Sequence, residues 1–148
     1  MQAAILRELA QGRNARQAAH NLDITHDTAK SHLSMLYKRI GVGGAPHAVS
    51  RVHDAWPELL ADLTAPITER PYLGPQRREM WAMLWDVAQG AQIRGSGHPY
   101  GLSRAASASR ARVIFRALQA RSAAQAVHHA YCVGAFPPEG EIRWAPTL

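Results

Sequence analysis

The sequence predicts an all-α fold of two tandem four-helix units joined by a proline-rich connector. Three observations predict it. Apolar residues recur at steps of three and four along most of the chain, the period of a helix face. Asn14, Thr25 and Ser103 stand where N-caps belong, and Gly12, Gly41 and Gly90 stand where helices should stop. The chain also aligns with itself without a gap when Gly12 is laid on Gly90, 78 residues later.

The first helix is expected over 3–11, with Ile5, Leu6, Leu9 and Ala10 turned inward. Asn14 caps a second helix, in which Ala15, Ala18, Ala19 and Leu22 follow the spacing of a buried stripe. Asp23 and Ile24 form a turn. Thr25 caps a third helix, and Asp27 in its first turn suits the positive end of the helix dipole. Ala29, Leu33, Leu36 and Ile40 mark its inner face, and Gly41 ends it. The outer face carries Thr28, Lys30, Ser31, His32, Ser34, Lys38 and Arg39. A fourth helix is expected to begin at Pro46, with Ala48, Val49, Val52 and Trp56 on its apolar side.

Residues 1–56 are thus the first unit. The connector, 57–72, holds Pro57, Pro66 and Pro71; its Leu59, Leu60 and Leu63 predict packing on the body. The second unit, 73–134, begins with a helix over 76–89 bearing Met80, Trp81, Leu84, Val87 and Ala88. Gly95, Gly97, Pro99 and Gly101 then break the segment where a second helix would stand. Glycine costs about 1 kcal/mol and proline about 3 inside a helix, so a short or irregular piece is expected. Ser103 caps a helix to about 118 with Arg104, Arg110, Arg112 and Arg116, and a last helix covers 123–133. In the tail, 135–148, Phe136, Ile142 and Trp144 are expected to dock on the body.

Charge points toward a polyanionic partner. The chain of 148 residues has a formal net charge of +6 and a pI near 10.2. Residues 75–148 hold nine Lys/Arg against four Asp/Glu, whereas 1–74 hold eight against seven. No apolar run approaches the roughly 18 residues of a membrane span, and the N-terminus lacks the pattern of a secretory signal. Cys132 alone cannot form an internal disulfide, which suits a cytoplasmic protein, and it is expected on an apolar helix face. His20, His26, His32, His47, His53, His98, His128 and His129 show no ligand spacing with acids or Cys132. No catalytic constellation, metal site or cofactor motif is expected.

The stretch Q-G-R-N-A-R-Q-A-A-H-N-L-D-I-T-H-D-T-A-K-S-H-L-S-M-L-Y-K-R-I-G-V, followed by A-P-H-A-V, resembles the LuxR/GerE-type helix-turn-helix of bacterial transcription regulators. The resemblance covers 3–56. It implies that Thr28, Lys30 and His32 meet DNA with Ser31 and Ser34 nearby, and that Lys38 and Arg39 face phosphates. Ala29 stands where the family usually has valine, so a slightly underfilled core is expected. L-G-P-Q-R-R-E-M-W-A-M-L at 73–84 is similar to the family's opening segment. The centre of the second copy departs: Ala106 and Ala108 stand at the places of Thr28 and Lys30, and Arg110 and Arg112 at those of His32 and Ser34. The helix after Ser103 also bears a faint resemblance to region 4 of sigma factors.

The implied function is sequence-specific double-stranded DNA binding by a transcription regulator, with Arg104, Arg110, Arg112 and Arg116 as a second phosphate-binding surface. The resemblance further implies dimers through fourth helices, either between two chains or as an intramolecular pseudo-dimer. Val49, Val52 and Trp56 with Val127, Ala130 and Tyr131 are the residues for that contact or for the core. The rival expectation is a co-regulator that binds another regulator or RNA polymerase through the second copy.

Overall fold

The computed structural model describes residues 1–137, the side chain of His98 excepted. Among them are seven α-helices and no strand, so the fold is all-α. These are α1 (Gln2–Ala10), α2 (Ala15–Asn21), α3 (His26–Ile40), α4 (Ala45–Ala55), α5 (Arg77–Ala88), α6 (Arg104–Ala117) and α7 (Ala123–Cys132). Short 3₁₀ turns lie at Pro57–Leu59, Ile93–Gly95 and His98–Tyr100.

Local chemistry sets each boundary. Asn14 Oδ1 accepts from the Gln17 N–H at 2.8 Å while Gln17 Oε1 accepts from the Asn14 N–H at 2.9 Å, a reciprocal box that starts α2. Asp23, at φ 56, turns the chain between α2 and α3. Thr25 Oγ1 accepts from the Thr28 N–H at 3.1 Å to start α3, and Gly41, at φ 72, ends it. α4 begins one residue earlier than the proline suggests: Gly44 is its N-cap and Pro46 its second residue. Proline needs only a place in the first turn, where its missing N–H is no loss.

The breaker-rich segment of the second half becomes two 3₁₀ turns. Gly97 explains much of it. Its N–H donates to Ser107 Oγ at 3.1 Å, and a Cβ there would overlap Ser107 and Leu102. Ser107 in turn donates to the Ser103 carbonyl at 2.9 Å, so a fully buried hydroxyl in α6 is satisfied. The turns therefore sit closer to α6 than a helix with side chains would.

Helix starts recur at one interval. Residues 15, 26 and 45, where α2, α3 and α4 begin, are each followed 78 residues later by the starts of the Ile93–Gly95 turn, α6 and α7. Positive φ recurs at the same interval: Gly12, Asp23 and Gly41 precede Gly90, Gly101 and Gln119.

α4 packs most extensively against α7. Ala48, Val49, Val52, Ala126, Val127 and Ala130 are buried there, each no more than 2 % exposed. At about 25 cal/mol per Å² such apolar burial is the main stabilising term. Among the polar contacts that cross this surface are Ser50 Oγ to Tyr131 Oη at 2.8 Å and His53 Nε2 to His128 Nδ1 at 2.9 Å. They exchange under the interval of 78, since 128 follows 50 and 131 follows 53. The flanks do the same. Gly12 lies against Gln125, and Gly90 against His47, the residue 78 positions before Gln125. Residues related by the interval of 78 thus take reciprocal places across this surface.

The connector lies on the body. Leu60 is 1 % exposed and Leu73 is buried. Arg7 reaches the Asp62 carboxylate at 2.6 and 2.7 Å and the Leu59 carbonyl at 2.8 Å, and Arg70 donates to the Gly134 carbonyl at 2.8 Å. Three expectations are corrected. Trp56 is not buried: it sits at the C-cap of α4, past the stretch that faces α7, and is 43 % exposed. Leu59 is likewise exposed. Cys132 is exposed and not a core residue, because α7 ends there and turns its last residue to the rim. Phe136 is buried, meeting Trp85 and Tyr131 edge-on at 5.1 and 5.7 Å. Ile142 and Trp144 lie outside the described residues.

Candidate nucleic-acid interface

α3 is held from three sides. Ala29, Leu33 and Leu36 are buried against α1, α2 and α4. Ala29 is fully enclosed, which reflects how closely α2 approaches through its own Ala18 and Ala19. α2 is tied to α1 by Asn21 Nδ2 donating to Glu8 Oε2 at 3.0 Å, and Glu8 also pairs with Arg13 at 3.0 Å. The supporting helix and the presenting helix are therefore fixed relative to each other.

The outer face of α3 contains the residues expected there. Thr28, Lys30, Ser31, Ser34, Lys38 and Arg39 are exposed, and His32 is half-buried. They do not form one cluster. Lys30, Ser34 and Lys38 follow at four-residue steps and make one strip. His32 and Arg39, seven residues apart, make the opposite border with Met35 between them, and they line a groove against α1 and α4. Thr28, four residues before His32, begins that border, and Ser31 lies between the strips. The Thr28 hydroxyl lies 2.8 Å from Thr25 Oγ1, so this residue belongs to the cap as well as to the face. Lys38 and Arg39 stand in the last turn, where cations suit the negative end of the helix dipole.

α6 presents a different surface. Ser103 Oγ accepts from the Ala106 N–H at 3.1 Å and starts the helix; Ala111 and Ile114 are buried. Arg104, Arg112 and Arg116 are exposed along one line of four-residue steps, interrupted by Ala108. Arg110 is half-buried on another side. Arg112 donates to Ser109 Oγ at 3.2 Å. The outward face thus offers cations but few groups able to both donate and accept. Val113, 51 % exposed, adds an apolar spot.

Sequence reasoning missed the polar network between α4 and α7. Tyr131 Oη contacts Ser50 Oγ and donates to Asp54 Oδ1 at 3.0 Å, and His53 stacks on the Tyr131 ring at 4.2 Å. His128 and His129 are buried; the latter bonds the Leu118 carbonyl at 2.7 Å. Burial holds the His53 imidazole down to about 4, and it pushes His128 and His129 down as well. The signal was the interval itself, which sets 50 with 128 and 53 with 131 on equivalent helix faces. No group of three or more His, Cys, Asp or Glu among the described residues is placed to hold a metal ion.

A capped helix laid across a short supporting helix, with a polar and basic outer face, defines the helix-turn-helix class of DNA-binding proteins. Residues 2–52 match the family model described as bacterial regulatory proteins, luxR family. The match covers about one third of the chain and likens those residues to the DNA-binding domain of bacterial transcription regulators. No curated protein and no solved structure matches the chain. No helix among the described residues is long and apolar enough to cross a membrane.

Proposed function

We propose that the chain is a sequence-specific double-stranded DNA-binding transcription regulator that reads base edges with α3 and holds phosphates with α6. The outward face of α3 carries this reading: hydroxyls and cations on a capped, rigidly supported helix. A major groove about 12 Å wide admits such a helix. Lys30, His32 and Ser34 approach base edges, while Thr28, Lys38 and Arg39 fix the register on phosphates, with Ser31 beside them. Arg104, Arg110, Arg112 and Arg116 add sequence-independent contacts from the second half. The protein then acts in the cytoplasm, on the nucleoid.

The recurrence of helix starts and positive φ supports two copies of one unit, 1–56 and 73–134, with 57–72 joining them. The reciprocal contacts of α4 and α7 support an intramolecular pseudo-dimer in place of a homodimer through fourth helices. A second reading is favoured by exposed Val113 on α6. On that reading 73–134 docks on another regulator or on RNA polymerase, and DNA contact is left to α3 alone.

In vitro selection of bound duplexes from a random library, with the full chain, tests the proposal. Enrichment of one short motif with a sequence-tolerant flank is the expected result. Failure to enrich any sequence, with weak binding to every duplex and a saturable complex with RNA polymerase, overturns it in favour of the second reading.

A further inference from the structure

A groove of about 500 Å³ runs between α1, α3 and α4. Leu6, Met35, Ile40, Val52 and Trp56 supply its apolar wall, and His32 and Arg39 stand on it from α3. Among the described residues no acidic side chain lines it. Large apolar side chains stand exposed around it: Met35 at 55 % and Trp56 at 43 %. An apolar concavity of this size with a few cations suits a compact ligand.

The other half of the molecule shows what fills one edge of such a surface. The residue 78 positions after Ala3 is Trp81. Ala3 is exposed and lines the groove, whereas Trp81 is 3 % exposed and meets Phe136 edge-on at 6.3 Å. The residue 78 positions before Phe136 is Glu58, which is exposed. An aromatic ring is therefore buried in the second half at the place where a small residue leaves the groove open in the first.

We infer that the groove binds a small aromatic carboxylate. Its ring system takes the place that Trp81 holds in the other half, and its carboxylate pairs with Arg39, with His32 alongside. A guanidinium matches a carboxylate with two parallel hydrogen bonds, and no ion pair among the described residues already engages Arg39. The ligand neutralises a cation that the proposed DNA surface uses, so it lowers DNA affinity. That consequence rests on the proposed DNA surface, and the choice of an aromatic ligand on the proposed two-copy reading.

Biphenyl-4-carboxylate is a probe of this chemistry, and biphenyl-4-carboxamide is its uncharged control. Amide and methyl chemical shifts of the full chain are followed as each is added. Saturable shifts confined to α1, the 32–40 stretch of α3 and the 52–56 end of α4 are expected. The carboxamide and the Arg39→Gln variant should each bind about tenfold more weakly. Ala3→Trp should abolish binding while circular dichroism and DNA affinity stay as in the parent. Absence of saturable shifts, shifts centred elsewhere, or equal affinity for the carboxamide overturns the assignment. Groove shifts that follow protein concentration instead of probe assign the surface to a second copy and also overturn it. Binding with unchanged DNA affinity leaves the site standing and removes its coupling to DNA.

Discussion

His53 Nε2 lies 2.9 Å from His128 Nδ1, and this contact fixes the proton positions of both rings. His128 Nε2 lies 2.8 Å from the Leu63 carbonyl, which can only accept, so that nitrogen carries the proton. The Nδ1 of neutral His128 is then an acceptor, and His53 Nε2–H donates to it. Protonating His128 would turn its Nδ1 into a donor and oblige His53 to give up its Nε2 proton in a site whose burial already disfavours charge. The joint between α4 and α7 is therefore built for neutral imidazoles.

The joint should loosen in acid. Folded His53 takes up a proton only near pH 4, because of burial first and the neighbouring His128 second; the unfolded side chain does so near 6.5. Between these values the unfolded chain binds more protons, so stability present above pH 6.5 declines as pH falls toward 4. The urea midpoint should drop between pH 7.5 and 5. His53→Gln keeps an N–H donor toward His128 and removes one titrating ring, so its midpoint should fall less over the same range. A variant that tracks the parent at every pH would show that His53 is not the source.

Gln119 ends α6 at φ 52, a left-handed conformation, where Gly41 ends α3 at φ 72. A side chain at such a position costs roughly 1 kcal/mol relative to glycine. Gln119→Gly should therefore raise stability by about 0.5–1 kcal/mol despite the greater freedom it gives the unfolded chain. Equilibrium urea unfolding would register it as a higher midpoint at unchanged slope. A lower midpoint would mean that the Gln119 side chain makes a contact worth more than the strain.

The same positions show what the sequence made legible. Caps and stops are local, so Asn14, Thr25, Ser103 and Gly41 could be read directly, and the all-α fold with them. The outer face of α3 was legible because helix periodicity alone assigns it. Contacts between distant residues were less so: Ser50 and Tyr131 lie 81 apart, and only the interval of 78, which relates 50 to 128 and 53 to 131, points to their meeting. Periodicity also fails at helix ends. It placed Trp56 and Cys132 on apolar faces, but the partner helix does not extend to cover them. The split of the α3 face into two strips needed α1 and α4 in place, since only they turn His32 and Arg39 toward a groove.

Leu59 and Leu60 separate a connector that belongs to the core from one that merely spans it. Leu60 is 1 % exposed and packs in the core cluster, whereas Leu59 is 36 % exposed. Leu60→Ala should cost roughly 2–5 kcal/mol, and Leu59→Ala well under about 1 kcal/mol. Thermal or urea unfolding of the two single variants measures the difference. Equal, small losses would describe a tether that leaves the body's stability untouched.

The helices α3 and α6 should differ in kind when their cations are removed. Removing one cation from a phosphate lowers the slope of log affinity against log salt by about 0.9. Arg112→Ala with Arg116→Ala should reduce that slope by up to about 2 and weaken all duplexes alike, leaving the selected motif unchanged. Lys30→Ala should instead relax preference at one position of the motif, since a side chain on base edges is worth about 1–3 kcal/mol of discrimination. Fluorescence anisotropy across a salt series, with the selected site and single-base variants of it, separates the two effects. The Ser34 and Arg112 positions make the contrast sharp, because they stand 78 residues apart on equivalent turns of α3 and α6. A hydroxyl at one can donate and accept and so distinguish bases; a guanidinium at the other, with no acceptor, suits a phosphate. Loss of motif preference in the arginine variants would assign base reading to α6 as well and make the bound site a symmetric one.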